Sequence, residues 1–151
     1  MAQKPSRWKK GRGKLGPLSP LIGAWKAQAQ TPMGAVQCRR TFTPILKGTH
    51  IQLAVRWEFP QGNYEEMALL GVNAEGKLSF WSFTSDGKNS TGTIADVTDL
   101  HPSAIGFEAQ MPAGLARMAY WPDEEDGYYW VVEAKTKKGW KRFTEHHYRP
   151  A

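Results

Sequence analysis

Turn-forming residues recur at short, regular intervals along this chain, and their spacing limits the folds it can adopt. From Gly23 onward, groups of Gly, Pro, Asn and Asp interrupt the sequence at 31–34, 47–48, 60–63, 73–76, 85–88, 98–103, 112–114, 123–127 and 137–139. Such residues supply the positive or preset φ angles that tight turns need. The segments between them have roughly seven to eleven residues, within the usual length range of a β-strand. The spacing therefore predicts ten strands joined mostly by hairpins.

Apolar and polar residues alternate within these segments, as expected when one face of a strand meets a core and the other meets water. Segment 50–59 is the clearest case, since every second residue in it is apolar. Its apolar face holds Ile51, Leu53, Val55, Trp57 and Phe59. Segment 36–43 alternates in the same way, with Arg40 as the one residue that does not fit. Apart from a short helical turn near Ser19 and Pro20, no segment has a helical period, so we predict an all-β protein.

Short connections make sequential strands neighbours in the sheet, which gives a meander. An open ten-stranded sheet exposes two edges, and closure removes both. Because ten is even, the first and last strands of a closed meander meet antiparallel. We therefore predict a closed up-and-down antiparallel barrel of about ten strands. A β-sandwich is the alternative, but it needs longer crossings, and only 98–103 is even slightly long.

Positive charge is concentrated at the N-terminus. Of 20 Lys and Arg residues, six lie in the first sixteen positions, where no Asp or Glu occurs. These six are Lys4, Arg7, Lys9, Lys10, Arg12 and Lys14. The other 14 basic residues match all 14 acidic ones, so the net charge of +6 belongs to the terminus. We predict a flexible basic tail at 1–16 and a barrel domain at 17–151. The tail is either a solubilising terminus or a weak contact for nucleic acid or an anionic surface.

Other general features indicate a protein of a reducing compartment. The one cysteine, Cys38, has no partner for an internal disulfide. No apolar run reaches the roughly 20 residues of a membrane helix, so we expect no span. Proline and glycine break the apolar stretch at 15–22, which therefore does not match an export signal. We expect a cytoplasmic protein, and the sequence leaves its oligomeric state open.

Two short motifs carry a resemblance to a known family. Gly23-Ala24-Trp25 stands at the start of the first predicted strand, and Tyr148-Arg149 ends the last one. This pair resembles the signature of the calycin superfamily, which includes the lipocalins and fatty-acid-binding proteins. The resemblance implies that Trp25 closes one end of the barrel. It also implies that Arg149 packs across the Trp25 ring as a cation–π lid.

Within that superfamily, the chain is most similar to bacterial lipocalin-like barrels of unknown function. The similarity rests on the Leu-rich turn before Gly23, the turn Pro32-Met33-Gly34 and the segment at 80–87. In strand number the chain also resembles the ten-stranded haem-binding nitrobindins. It departs from their Gly-x-Trp-x-Gly-x-Gly run, since Lys-Ala-Gln-Ala follows Trp25.

We expect the barrel lumen to bind a small apolar or amphipathic molecule. By strand parity, the side chains that face the lumen include Leu53, Val55, Trp57, Trp130 and Val132. The polar candidates for anchoring a ligand head group are Arg40, Glu145 and His147. These aromatic and apolar residues equally suit a filled core. No sequence motif indicates an enzymatic reaction or a metal site, and the acidic run at 123–126 fits a solvated hairpin.

Two other functions remain open at this stage. One is haem-dependent chemistry on reactive nitrogen or oxygen species, with a lumen histidine as the iron ligand. If Arg149 faces Trp25, then Glu145 and His147 share its side and His146 faces outward, so His147 is the expected haem ligand, with His146 as the alternative. The other is an interaction module, in which the basic tail contacts nucleic acid and the barrel is a scaffold. Outside the haem alternative we expect no cofactor.

Overall fold

Ten antiparallel strands form a closed barrel, as the spacing of the turns predicted. The computed structural model describes residues 8–151. The strands are β1 (Gly23–Thr31), β2 (Gly34–Ile45), β3 (His50–Phe59), β4 (Gly62–Val72), β5 (Leu78–Thr84), β6 (Asn89–Ala95), β7 (Ile105–Met111), β8 (Gly114–Pro122), β9 (Tyr128–Thr136) and β10 (Gly139–Pro150). Each strand pairs with the next along the chain, and β10 returns to pair with β1.

An up-and-down order places alternate connections at opposite ends of the barrel. The connections at 32–33, 60–61, 85–88, 112–113 and 137–138 lie at one end, which we call the open end. Those at 46–49, 73–77, 96–104 and 123–127 lie at the other, the closed end, where β1 also starts. The two ends therefore carry entirely different sets of turn residues.

A six-residue 3-10 helix, Gly16–Leu21, seals the closed end. It begins earlier than the turn predicted at Ser19, and it has proline in its first turn. Its side chains Leu18 and Leu21 are fully buried. A second 3-10 helix, Leu46–Gly48, forms the turn between β2 and β3. Within residues 8–151, no helix is long and apolar enough to cross a membrane.

Trp25 packs beneath the N-terminal 3-10 helix. Its indole Nε1 donates a hydrogen bond of 2.8 Å to the carbonyl of Leu21, and its ring lies edge-on to Tyr128 at 4.7 Å between centroids. This indole therefore helps to close the barrel end, as the calycin resemblance implied, but through a backbone carbonyl and a tyrosine.

Arg149 does not cover Trp25, so that part of the expectation is wrong. In the pairing of β1 with β10, Trp25 stands opposite Pro150, and Lys26 stands opposite Arg149. Residues that are directly opposite in an antiparallel pair share a face of the sheet. Lys26 and Arg149 are both exposed, which places the guanidinium on the outer wall. The barrel closes through the backbone pairing of β1 with β10.

The N-terminal segment lies against the closed end. The indole Nε1 of Trp8 donates a 2.8 Å hydrogen bond to the carbonyl of Ser103, and its ring lies 6.1 Å from that of Tyr128. The amide of Gly11 donates to the carbonyl of Gly16 at 2.8 Å. Residues 1–7 of the predicted tail lie outside the described residues.

The long connection at 96–104 packs on the outside of the barrel wall. It covers Val131 on β9, which forms a small second apolar cluster with Val97 and Ala119. Beside it, Arg117 Nε donates to Glu133 at 2.9 Å, and the same guanidinium donates two bonds to the Asp99 carboxylate. This cover explains why an outward-facing glutamate, Glu133, is almost fully buried.

Shortening a buried side chain of the N-terminal 3-10 helix tests whether that helix closes the barrel end. We expect Leu18→Ala to lower the free energy of unfolding by about 2–5 kcal/mol, because it leaves a cavity beneath a fully buried leucine. Leu46→Ala, at a leucine that is 63% exposed on the same end, should change stability by less than about 0.5 kcal/mol. Urea unfolding followed by tryptophan fluorescence measures both. Similar stabilities for the two variants would show that the helix does not close the barrel.

Candidate functional site

The barrel contains a cavity of about 770 Å³. Its rim is formed by residues from the open-end connections and their adjoining strand ends, among them Met33, Gln61, Lys88 and Met111. Its walls are mainly apolar. They include Leu53, Ala68, Leu70, Phe80, Phe107 and Val132. The cavity therefore reaches from the open end into the interior, while the opposite end is sealed.

Most of the side chains predicted to face the lumen do border this cavity. Leu53, Trp57, Trp130 and Val132 all line it. Val55 is buried but does not border the open space. It stands directly opposite Arg40 of β2 and Glu66 of β4, so these three side chains form an inward-facing row across three strands.

Arg40 is the residue that broke the alternation of β2, and the structure buries it inside the barrel. Only 2% of its surface is exposed. Its Nη2 donates a 2.7 Å hydrogen bond to the hydroxyl of Tyr120, and its guanidinium carbon lies 4.4 Å from the ring centroid of Trp130. The rings of Phe42, Tyr120 and Tyr148 lie within 6.0 Å of the same carbon. Cation–π attraction from this aromatic cage offsets part of the cost of burying the charge.

The charge of Arg40 is not neutralised by a direct ion pair. Among residues 8–151, no carboxylate forms a salt bridge with this guanidinium, and its Nε has no hydrogen-bond partner. The acidic side chain of Glu66 lines the cavity and lies in the same inward-facing row as Arg40. Arg40 also borders the cavity, and a buried cation beside a cavity can attract an anionic group.

His146 also faces inward, contrary to the prediction that it faces out. Its ring lies 5.1 Å from that of Trp57 and 5.2 Å from that of Trp130, and its Nδ1 is 3.3 Å from the hydroxyl of Tyr148. Burial, with a smaller contribution from the positive charge of Arg40, lowers the pKa of His146 to about 4. The imidazole is therefore neutral at pH 7, and the lumen keeps Arg40 as its buried cation.

Glu145 and His147 lie on the outer wall, so the prediction that they face the lumen is wrong. Glu145 pairs with Arg142. His147 Nε2 lies 2.7 Å from the carboxylate of Asp123, and its ring stacks on Tyr129 at 4.4 Å. The error follows from the assumed inward direction of Arg149, because residues two apart on a strand share a face.

The register against β9 fixes the correct orientation of β10. His146 stands opposite Trp130, and Tyr148 stands opposite Tyr128, so both face inward with their partners. Sequence reasoning also missed Glu66 and Tyr120 as lumen residues. The available signal was the same alternation, since Tyr120 lies at even spacing from the apolar residues Ala116 and Met118 of β8.

The histidines do not fit the haem alternative. It named His147 as the iron ligand, and that ring lies outside the barrel against Asp123. His146 is inside, but it is packed between two indoles and does not border the cavity. Neither His50 nor His101 borders it.

Comparison with known proteins supports the fold. No family model and no curated protein matches the sequence. The crystal structure of Rv2717c from M. tuberculosis superposes with a TM-score of 0.60 at 15% identity, over 93% of this chain and 98% of that one. A de novo designed fluorescence-activating β-barrel gives a TM-score of 0.43 at 17% identity, over 65% of this chain and 88% of that one. The similarity to Rv2717c shows a shared fold.

The buried imidazole predicts a pH dependence of stability. Because the pKa of His146 is about 4 in the folded chain and about 6.5 when unfolded, protonation favours the unfolded state as pH falls. Between pH 7 and pH 4, the free energy of unfolding should therefore fall by about 3 kcal/mol more in wild type than in His146→Gln, which lacks the imidazole. Chemical unfolding of both proteins across that pH range measures the difference. Parallel curves would mean that the imidazole is solvated.

Proposed function

We propose that this barrel binds a small, mainly apolar molecule in its cavity, with an anionic group of that molecule at Arg40. The observation that carries the proposal is the buried guanidinium of Arg40, which borders an apolar cavity and has no ion-pair partner among the described residues. An amphipathic anion supplies apolar bulk for the cavity and a direct counter-charge for Arg40, which has no salt bridge among the described residues.

The dimensions of the cavity support this proposal. A volume of about 770 Å³ lies within the roughly 300–1,000 Å³ of small-molecule sites. Each methylene group of a ligand that leaves water for such a wall contributes about 0.8 kcal/mol. A chain or ring system of moderate length therefore gains enough from burial to offset the loss of its translational freedom.

The surroundings of Arg40 support an anionic head group. A guanidinium presents planar pairs of donors that match the two oxygens of a carboxylate. One of these donors is held by the Tyr120 hydroxyl at 2.7 Å, and the ring of Trp130 lies 4.4 Å from the guanidinium carbon. An arginine remains protonated in proteins, so its charge is available at any physiological pH.

Glu66 is expected to limit the affinity for such a ligand. Its carboxyl group lies on the same inward row as Arg40 and borders the cavity. A carboxylate in a poorly solvated space repels an anionic ligand, so we expect Glu66 to oppose the attraction of Arg40 for that ligand.

The calycin resemblance of Gly23 and Trp25 favours the same function, because lipocalins and fatty-acid-binding proteins hold ligands inside their barrels. We propose membership of that superfamily on those residues and on the closed ten-stranded meander. The outward position of Arg149 is the departure from the calycin pattern.

Replacing the buried cation tests the head-group site. Arg40→Met should weaken binding of a long-chain fatty acid at least about tenfold, because the carboxylate loses its counter-charge. Binding of the matching fatty alcohol should change much less. Arg39→Met is the matched control, since Arg39 precedes Arg40 on β2 but lies on the outer wall with an exposed side chain. Displacement of a fluorescent probe measures the affinities of wild type and both variants for the acid and for the alcohol.

Two further measurements keep the test valid if Arg40→Met does not fold. Wild type itself should prefer the acid to the alcohol, and Glu66→Gln should bind the acid more tightly than wild type. Equal affinity of wild type for acid and alcohol would contradict the anionic head group.

Filling the cavity tests whether ligands enter it at all. Ala68 is buried and borders the open space, so Ala68→Trp should abolish probe binding by occupying that space. Ala54→Trp, on the outer face of β3 where Ala54 is exposed, serves as the control. Undiminished binding by a folded Ala68→Trp variant would place the ligand elsewhere.

A further inference from the structure

The two ends of the barrel carry opposite charge. The open-end connections hold Lys88, Lys137 and Lys138 against one acid, Asp86, for a formal net charge of +2. The closed-end connections hold two lysines against seven acids, for a formal net charge of −5. Those acids are Glu75, Asp96, Asp99, Asp123, Glu124, Glu125 and Asp126. Counted over the connections alone, hairpin order thus gives one positive set and one negative set of turns, at opposite ends of the barrel.

The basic N-terminal segment lies on the negative end. Trp8 is hydrogen-bonded to Ser103 of the closed-end connection 96–104, which places the neighbouring, exposed residues Lys9 and Lys10 at that end. Opposite charges at the same end screen each other. At the open end, Lys137 and Lys138 are exposed on one two-residue turn, and neither forms a salt bridge among the described residues.

Large apolar side chains are also exposed at the open end. Met33 is 61% exposed and Phe143 is 62% exposed, and both border the cavity. The register of β10 shifts between Arg142 and Thr144, and such a bulge re-aims the side chain at that position. Phe143 is therefore held at the rim, where it is accessible to water and to the cavity.

We propose that the open end docks on an anionic lipid surface. Met33 and Phe143 enter the interface, while Lys137 and Lys138 meet the lipid phosphates. A lipid surface fits better than nucleic acid, because apolar side chains share the rim with the cations and the apolar cavity opens between them. Docking there brings the cavity mouth against the bilayer. This inference goes beyond the proposed function and does not need a ligand in the cavity.

Vesicle flotation with the full chain tests the proposal. The protein should float with vesicles that contain phosphatidylglycerol, float far less with pure phosphatidylcholine, and dissociate as salt is raised. The double variant Lys137→Glu/Lys138→Glu and the single variant Phe143→Ser should each lower the bound fraction severalfold. Probe binding in vesicle-free solution should be unchanged in Lys137→Glu/Lys138→Glu.

Two matched controls lie at the other end. Lys9→Glu/Lys10→Glu reverses the same number of charges at the closed end, and Leu46→Ser removes an apolar side chain that is 63% exposed there. Both variants should bind vesicles as wild type does. Loss of binding in Lys9→Glu/Lys10→Glu with retention in Lys137→Glu/Lys138→Glu would overturn the proposal, because the N-terminal segment would then be the contact.

Other results would also overturn it. If the protein floated with neither kind of vesicle, or equally well with both, an electrostatic lipid contact would be contradicted. Retention on RNA, lost in Lys137→Glu/Lys138→Glu, without vesicle binding would assign the rim to nucleic acid. Flotation needs no ligand, so a failure to float would not contradict the head-group site at Arg40. In the same way, a failure to bind fatty acid would not contradict the docking surface.

Discussion

A single positive charge buried inside the barrel organises the lumen. Arg40 is enclosed by four aromatic rings and bonded to Tyr120, and no carboxylate among residues 8–151 neutralises it directly. Its field also helps to keep His146 neutral. Because burying a charge without an ion-pair partner is unfavourable, Arg40 and the adjoining cavity are the basis of the proposed head-group site.

The up-and-down order of the strands places the sealed end and the rim of the cavity at opposite ends of the barrel. Every second hairpin reaches the same end, so the plug formed by the 3-10 helix and Trp25 lies at the end opposite the rim. Within the plug Leu18 and Leu21 are fully buried and Trp25 is 8% exposed, so the plug packs closely against the interior. The rim exposes Met33 and Phe143. Access to the cavity and the proposed lipid contact therefore share one end of the molecule.

Much of the fold could be predicted from local patterns. Turn residues gave the ten strands and their order, and the alternation in 50–59 identified the inward face of β3. Arg40 stood out as the one residue that broke the alternation of its segment. The orientation of β10 could not be obtained in this way, because both faces of that strand mix polar and aromatic residues, and an inferred contact for Arg149 decided the choice wrongly.

The sequence by itself determined that this chain forms a closed antiparallel meander, since turns and alternation act over a few residues and each can be seen locally. Only the tertiary structure decided which groups meet inside. Register between β9 and β10 turned His146 inward and His147 outward, and closure brought Arg40 of β2 to Tyr120 of β8. Such contacts join positions far apart in the chain. Their geometry depends on how strands are staggered around the barrel, and no short segment encodes that stagger.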